Sequence, residues 1–139
     1  MGSYMFNAWL YRTGVINDDV LLQYSSGNGG VAGWNVARAK ESLWQLPAVG
    51  DMTKVPTVVD GIWVDGWCHE VDAPPANLNT GQKTDEQALK RVCINRHNRR
   101  VNAAFLDGHA EPVGLAELWA LKWHRRWSAP DPLPTITFK

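Results

Sequence analysis

A chain of 139 residues, 45% hydrophobic and 20% charged, is long enough to bury one core and too apolar to remain disordered. Fourteen basic and fourteen acidic residues cancel to a formal net charge of zero, which argues against a nucleic-acid partner held by counterion release. No run approaches the roughly 18 apolar residues of a membrane-spanning helix, and no basic-then-apolar signal segment opens the chain.

In chain order, SYMFNAWLYR (3–12) is aromatic and apolar without a helical repeat, and predicts an extended segment across the core. NDDV (17–20) and the glycine-rich SSGNGGVAGWN (25–35) predict turns and a mobile loop. NVARAKESLWQLP (35–47) predicts a short helix stopped by Pro47, with Leu43, Trp44 and Leu46 docked on the body. The β-branched stretch from Thr57 to Val64 predicts a buried strand. A long polar loop (70–85) follows, then one or two helical turns in DEQALKRVCI (85–94).

RVNAAFLDGHAEPV (100–113) predicts two strands joined at Asp107-Gly108, a strong hairpin signal. The RHNRR cluster just before it (96–100) reads as a solvated strand end. GLAELWALKWHRRW (114–127) has the pattern of a helix. Leu115, Leu118, Trp119, Leu121 and Trp123 form its apolar face, and Lys122, His124, Arg125 and Arg126 suit its C-terminal dipole. Three prolines then impose an extended tail. The sum is one α+β domain (1–139) with a small antiparallel sheet and a C-terminal helix.

Three groups of residues carry possible chemistry. Cys68 and Cys93 permit one disulfide, closing a loop of about 25 residues worth roughly 3 kcal/mol, or a pair of free buried thiols. A third reading is zinc held by Cys68, His69, Cys93 and His97, although the C-x2-C spacing is missing. Next, strand period places Asp107, His109 and Glu111 on one face. With His97 nearby, two imidazoles and two carboxylates would suit a divalent metal or acid–base chemistry. The preferred reading is structural: Asp107 bonds the turn backbone, Gly108 takes a positive φ, and His97 bonds Asp107. If Asp107-Gly108 is the hairpin apex, His97 belongs to the preceding turn and must reach Asp107 from one strand over. The third group is the tryptophans, eight in all. Trp119, Trp123 and Trp127 recur every four residues, and packing predicts Trp119 and Trp123 in the core with Trp127 nearer the rim. The alternative is a surface for stacking on sugar rings, to which Trp9, Trp34, Trp63 and Trp67 would add.

Several of these segments carry a family resemblance. His97 followed by nine residues and Asp107-Gly108 forms an H-x(9)-D-G motif, flanked by INRHN (94–98), VNAAFLDGHAEPV (101–113) and ELWALKWHR (117–125). With GSYMFNAWLY (2–11) and VPTVVDGIWVD (55–65), the chain resembles the prepilin-type, H-x(9)-D-G-domain proteins, which are pseudopilin-like. Members of that family begin with a cleaved leader and a long apolar helix. Here neither is seen, and Met1-Gly2-Ser3 reads as an added start. The resemblance implies a head domain of pilin-like fold lacking the N-terminal helix, part of an extracytoplasmic secretion- or pilus-type assembly. It implies other pilin-like subunits, or further copies of the chain, as partners, and no catalysis or cofactor. The alternative is a carbohydrate-active protein binding or cleaving glycans in a tryptophan-lined groove. Two of Asp60, Asp65, Glu70, Asp107 and Glu111 would then act as acid and base.

Overall fold

The computed structural model describes residues 3–12, 14, 16–26, 31–45, 50–82 and 87–138. Its centre is a five-stranded sheet of β1 (Ser3–Asn7), β2 (Pro56–Gly61), β3 (Asp65–Gly66), β4 (Arg100–Phe105) and β5 (Ala110–Gly114), in the order β3-β1-β2-β4-β5. The class is α+β, but the sheet is mixed and not purely antiparallel. β1–β2, β2–β4 and β4–β5 pair antiparallel, whereas the two-residue β3 runs parallel to β1. The strand expected from Thr57 to Val64 ends at Gly61, where a Cβ would lie 2.7 Å from the Met5 Cβ; residues 62–64 bend away before β3 begins.

The hairpin is where the sequence places it. Val101 faces Val113 and Ala104 faces Ala110, Gly108 takes φ +93°, and Phe105 N–H closes the turn on the His109 carbonyl (2.9 Å). Met5, Val59, Val101, Ala103, Phe105 and Val113 share the inner face of the sheet, and the core continues through Trp9, Leu43, Trp44, Leu118, Trp119 and Trp123.

Two short helices lie outside the sheet. The first, α1 (Asp18–Ser25), replaces the turn expected at 17–20. Asn17 caps it by accepting the Val20 N–H, and Asp18 and Asp19 sit in the first turn, where the helix dipole favours negative charge. Within the predicted segment, α2 (Val36–Ser42) is capped by the Asn35 side chain. It ends at Ser42, with Leu43 already extended, short of the stop expected at Pro47; Leu46, Pro47, residues 27–30 and part of the polar loop (83–85) lie outside the described residues. Residues 88–91 form a 3₁₀ turn, within the stretch expected to carry helical turns.

The predicted C-terminal helix is absent. Only Ala116–Ala120 is helical, as a 3₁₀ turn, and the chain then runs on without regular structure. The carbonyls that would continue an α-helix are engaged by tryptophan side chains. Trp123 Nε1–H donates to the Leu118 carbonyl (2.8 Å) and Trp127 Nε1–H to that of Trp119 (3.0 Å). The Lys122 N–H, which would otherwise bond Leu118, donates to Lys54 (2.8 Å). The three indoles are nevertheless buried, and of them Trp127 lies nearest the surface. No helix of the described residues is long and apolar enough to cross a membrane.

Trp119 joins packing to a hydrogen bond, since its Nε1–H donates to the Asp72 carbonyl (2.8 Å). Trp119→Ala is expected to cost about 3–5 kcal/mol. Trp119→Phe, which keeps most of the ring but orphans that carbonyl, is expected to cost about 1–3 kcal/mol. Chemical denaturation of the two variants checks the ranking.

Candidate functional site

The two ends of the H-x(9)-D-G motif serve different partners. His97 sits in the turn before β4, where Asn98 and Arg99 both take positive φ and His97 N–H donates to the Arg100 carbonyl (3.1 Å). Its Nε2 lies 3.0 Å from Asp60 Oδ2 on β2. The same buried Asp60 oxygen accepts the Asn102 N–H (2.8 Å), so this carboxylate ties β2, β4 and the turn together. The expected His97–Asp107 contact is replaced by His97–Asp60. The six residues of β4, at about 3.3 Å each, separate the two ends of the motif by roughly 20 Å.

Asp107 instead acts locally. Its Oδ1 accepts the His109 backbone N–H (3.2 Å) and lies 2.6 Å from His109 Nδ1, while the His109 ring stacks on Phe105 with centroids 4.5 Å apart. Hydrogen bonding to His109 holds the Asp107 carboxyl below its usual range, and the same bond raises the His109 imidazole. Glu111 stands 3.8 Å from His109 Nε2. His97, Asp107, His109 and Glu111 therefore do not form one metal-ligand set.

The carboxylates considered for glycoside chemistry are dispersed. Asp60 is engaged by His97 and Asn102, and Asp107 and Glu111 stand at the hairpin. Asp65 accepts the Tyr11 hydroxyl (2.9 Å) beside a cavity of about 530 Å³ lined by Tyr24, Trp63, Trp67 and Arg91. Glu70 borders a separate cavity of about 310 Å³. Trp119, Trp123 and Trp127, the candidate sugar-stacking residues, are buried and offer no ring face to a ligand. Cys68 and Cys93 are free buried thiols; burial raises both, Cys93 to about 12. With His97 drawn to Asp60, the Cys68–His69–Cys93–His97 zinc set does not assemble.

The structure brings together a cluster of another composition: His69, Glu70 and His124. Both imidazoles are 1% exposed, and one ligand atom from each of the three residues lies within 4.8 Å of the others. His69 Nε2 lies 2.5 Å from the Ser25 carbonyl oxygen, which can only accept, so Nε2 carries the hydrogen. His124 Nε2 is 2.9 Å from Glu70 Oε2 and donates in the same way. His124 Nδ1 is buried with no hydrogen-bond partner among the described residues. Burial pushes His69 down to about 4 and keeps it neutral. Burial alone would raise Glu70, but the His124 hydrogen bond and a backbone N–H hold it low.

Aromatic rings and a pinned turn fix this cluster in place. Trp9 meets His69 and His124 edge-on at 5.4 and 5.0 Å, Trp34 meets His69 at 4.7 Å, and Trp127 meets His124 at 5.2 Å. Asp72 Oδ2 accepts the N–H groups of His69 (3.2 Å) and Leu89 (3.0 Å), which fixes the turn carrying Glu70. Burial nonetheless lifts the Asp72 carboxyl to about 7. Sequence reasoning placed His69 only among the cysteines and His124 only at a helix end. The available signal was that WCHE (67–70) and WHRRW (123–127) each set a histidine within two residues of a tryptophan.

Asp60→Ala is expected to cost about 1–3 kcal/mol, because it removes the acceptor of the partly buried Asn102 N–H and releases His97, and Asp107→Ala much less; thermal melts of the two variants decide the order. Because Asp107 raises His109, the pair's contribution is present below the ordinary histidine range and fades as pH rises through the raised value. Asp107→Asn is expected to lower the His109 midpoint in an NMR titration. Comparison with protein-family models, curated proteins and solved structures finds no match to this chain.

Proposed function

We propose that this chain is the head of a pilin-like subunit, a non-enzymatic structural and interaction module of an extracytoplasmic secretion- or pilus-type assembly. The observation that carries this reading is the outer face of the sheet. Phe6, Val58, Ala104 and Ala110 line up across β1, β2, β4 and β5, with Tyr4 (65% exposed) and Pro112 in the neighbouring row. Phe6, which stacks on Tyr11 with centroids 5.5 Å apart, Val58 and Ala104 are half-buried and Ala110 is exposed. Among the described residues an apolar row thus crosses the sheet partly open to solvent, beside a neighbouring row whose middle is Asp60 and Asn102. The small Ala104 and Ala110 leave room for an apolar helix or a second copy to approach closely. The motif residues fit the same reading, since His97 ties the sheet through Asp60 while Asp107 and Gly108 shape its hairpin.

Sedimentation of the chain over rising concentration tests the reading. Association is expected, and Ala104→Lys, which places a charge in the middle of the row, is expected to abolish it. Monomers at every concentration would count against a helix- or subunit-binding face. The gene upstream of Ser3 offers a second check, with a leader and an apolar helix expected in frame.

One observation favours glycan binding without cleavage as a second reading. Tyr11, Tyr24, Trp63 (38% exposed) and Trp67 surround the larger cavity with Asp65. Under that reading, soluble oligosaccharides quench tryptophan fluorescence and Trp63→Ala removes the quench. The head-domain reading expects no quench.

A further inference from the structure

We propose that His69, Glu70 and His124 form a binding site for one divalent transition-metal ion of the zinc class, which clamps the 68–72 turn to the C-terminal segment. Two imidazoles suit borderline cations such as zinc or cobalt, and disfavour calcium and magnesium, which prefer all-oxygen sites. Among the described residues this is the one group of three histidine, cysteine or carboxylate side chains whose ligand atoms all lie within 4.8 Å.

The second observation is the orphaned nitrogen. A buried imidazole nitrogen without a partner costs free energy, and native structures seldom leave one. Among the described residues, His124 Nδ1 is the one buried side-chain nitrogen or oxygen in that state, and it belongs to this cluster. The surrounding bonds make it a donor to a cation. Ser25 and Glu70 each accept from an Nε2–H, which leaves the Nδ1 of each neutral ring with a lone pair. Partners of this kind, a carbonyl on one ring and a carboxylate on the other, commonly fix the tautomer of metal-binding histidines. Glu70 stands on the Nε2 edge of His124, opposite an ion on Nδ1, and so enters the site as the carboxylate that orients the ligating ring.

Access and support are both present. The cavity of about 310 Å³ bordered by Val31, Ala32, Trp34 and Arg38 opens on His69 and Glu70, giving a route in and room for water at the remaining coordination positions. Arg38 lies over the Trp34 ring at 5.4 Å. The ligands come from distant parts of the chain, so an ion joining them would cross-link the fold as well as occupy a cavity.

The test uses the full chain, freed of metal by a chelator and titrated with zinc alone by calorimetry, and with cobalt alone by visible absorption. The expected result is one ion per chain, cobalt bands from nitrogen and oxygen ligands, and a raised melting temperature. Glu70→Gln keeps an acceptor for His124 and is expected to fold, yet to lose about tenfold or more in affinity. His124→Gln should lose binding altogether. His97→Ala with His109→Ala, which removes the exposed imidazoles, is expected to leave stoichiometry and affinity unchanged. Absence of zinc uptake by the folded wild-type chain would overturn the proposal, as would uptake that survives Glu70→Gln at full affinity or disappears with His97 and His109.

Discussion

The fold depends on the indole N–H group as a donor to irregular backbone. Where helices are short and much of the chain between strands is aperiodic, buried carbonyls have no ladder to join, and each unpaired one is costly. Tryptophan supplies apolar bulk and a single donor at once. Trp9 donates to Cys68, Trp44 to Trp123, Trp119 to Asp72, Trp123 to Leu118 and Trp127 to Trp119, all carbonyls. These bonds join the first strand's exit, the 68–72 turn and the C-terminal segment into one body. Asn7 plays the same part with an amide, donating to the Pro56 and Trp123 carbonyls (both 2.9 Å) from full burial.

This wiring explains why so polar a cluster is tolerated inside. His69, Glu70 and His124 stand where three tryptophans converge, and the backbone that carries them is held by indole and carboxylate bonds before the imidazoles contribute anything. Preformed ligands lose little conformational entropy on binding an ion. The same wiring makes the interior sensitive to tryptophan substitution, because each change removes a ring and orphans a carbonyl together.

What the sequence revealed was whatever local chemistry decides. The Asp107-Gly108 hairpin, the strand beginning near Thr57 and the helix after Asn35 follow from turn residues, β-branching and a capping side chain. The C-terminal helix failed because a four-residue tryptophan repeat has helical period whether or not a helix forms, and the indoles took the carbonyls the helix needed. The first helix was hidden because Asn17-Asp18-Asp19 reads equally as a turn and as a cap with an acidic first turn. His97 was assigned to Asp107, although its partner Asp60 lies on a strand far back in the chain. The buried cluster was illegible for the same reason: His69 and His124 meet only through tertiary packing, and no spacing rule connects them.

The ends of the sheet carry a further consequence. Its outermost strands are β3, only two residues long, and β5, which contains Pro112 and Glu111. A short edge gives a newcomer almost no ladder to extend, and a proline and an acidic side chain on the other edge remove a donor and add charge. Growth of the sheet by strand addition from one molecule to the next is thus blocked at both margins. The margins of this open sheet therefore offer little template for the cross-β route to aggregation.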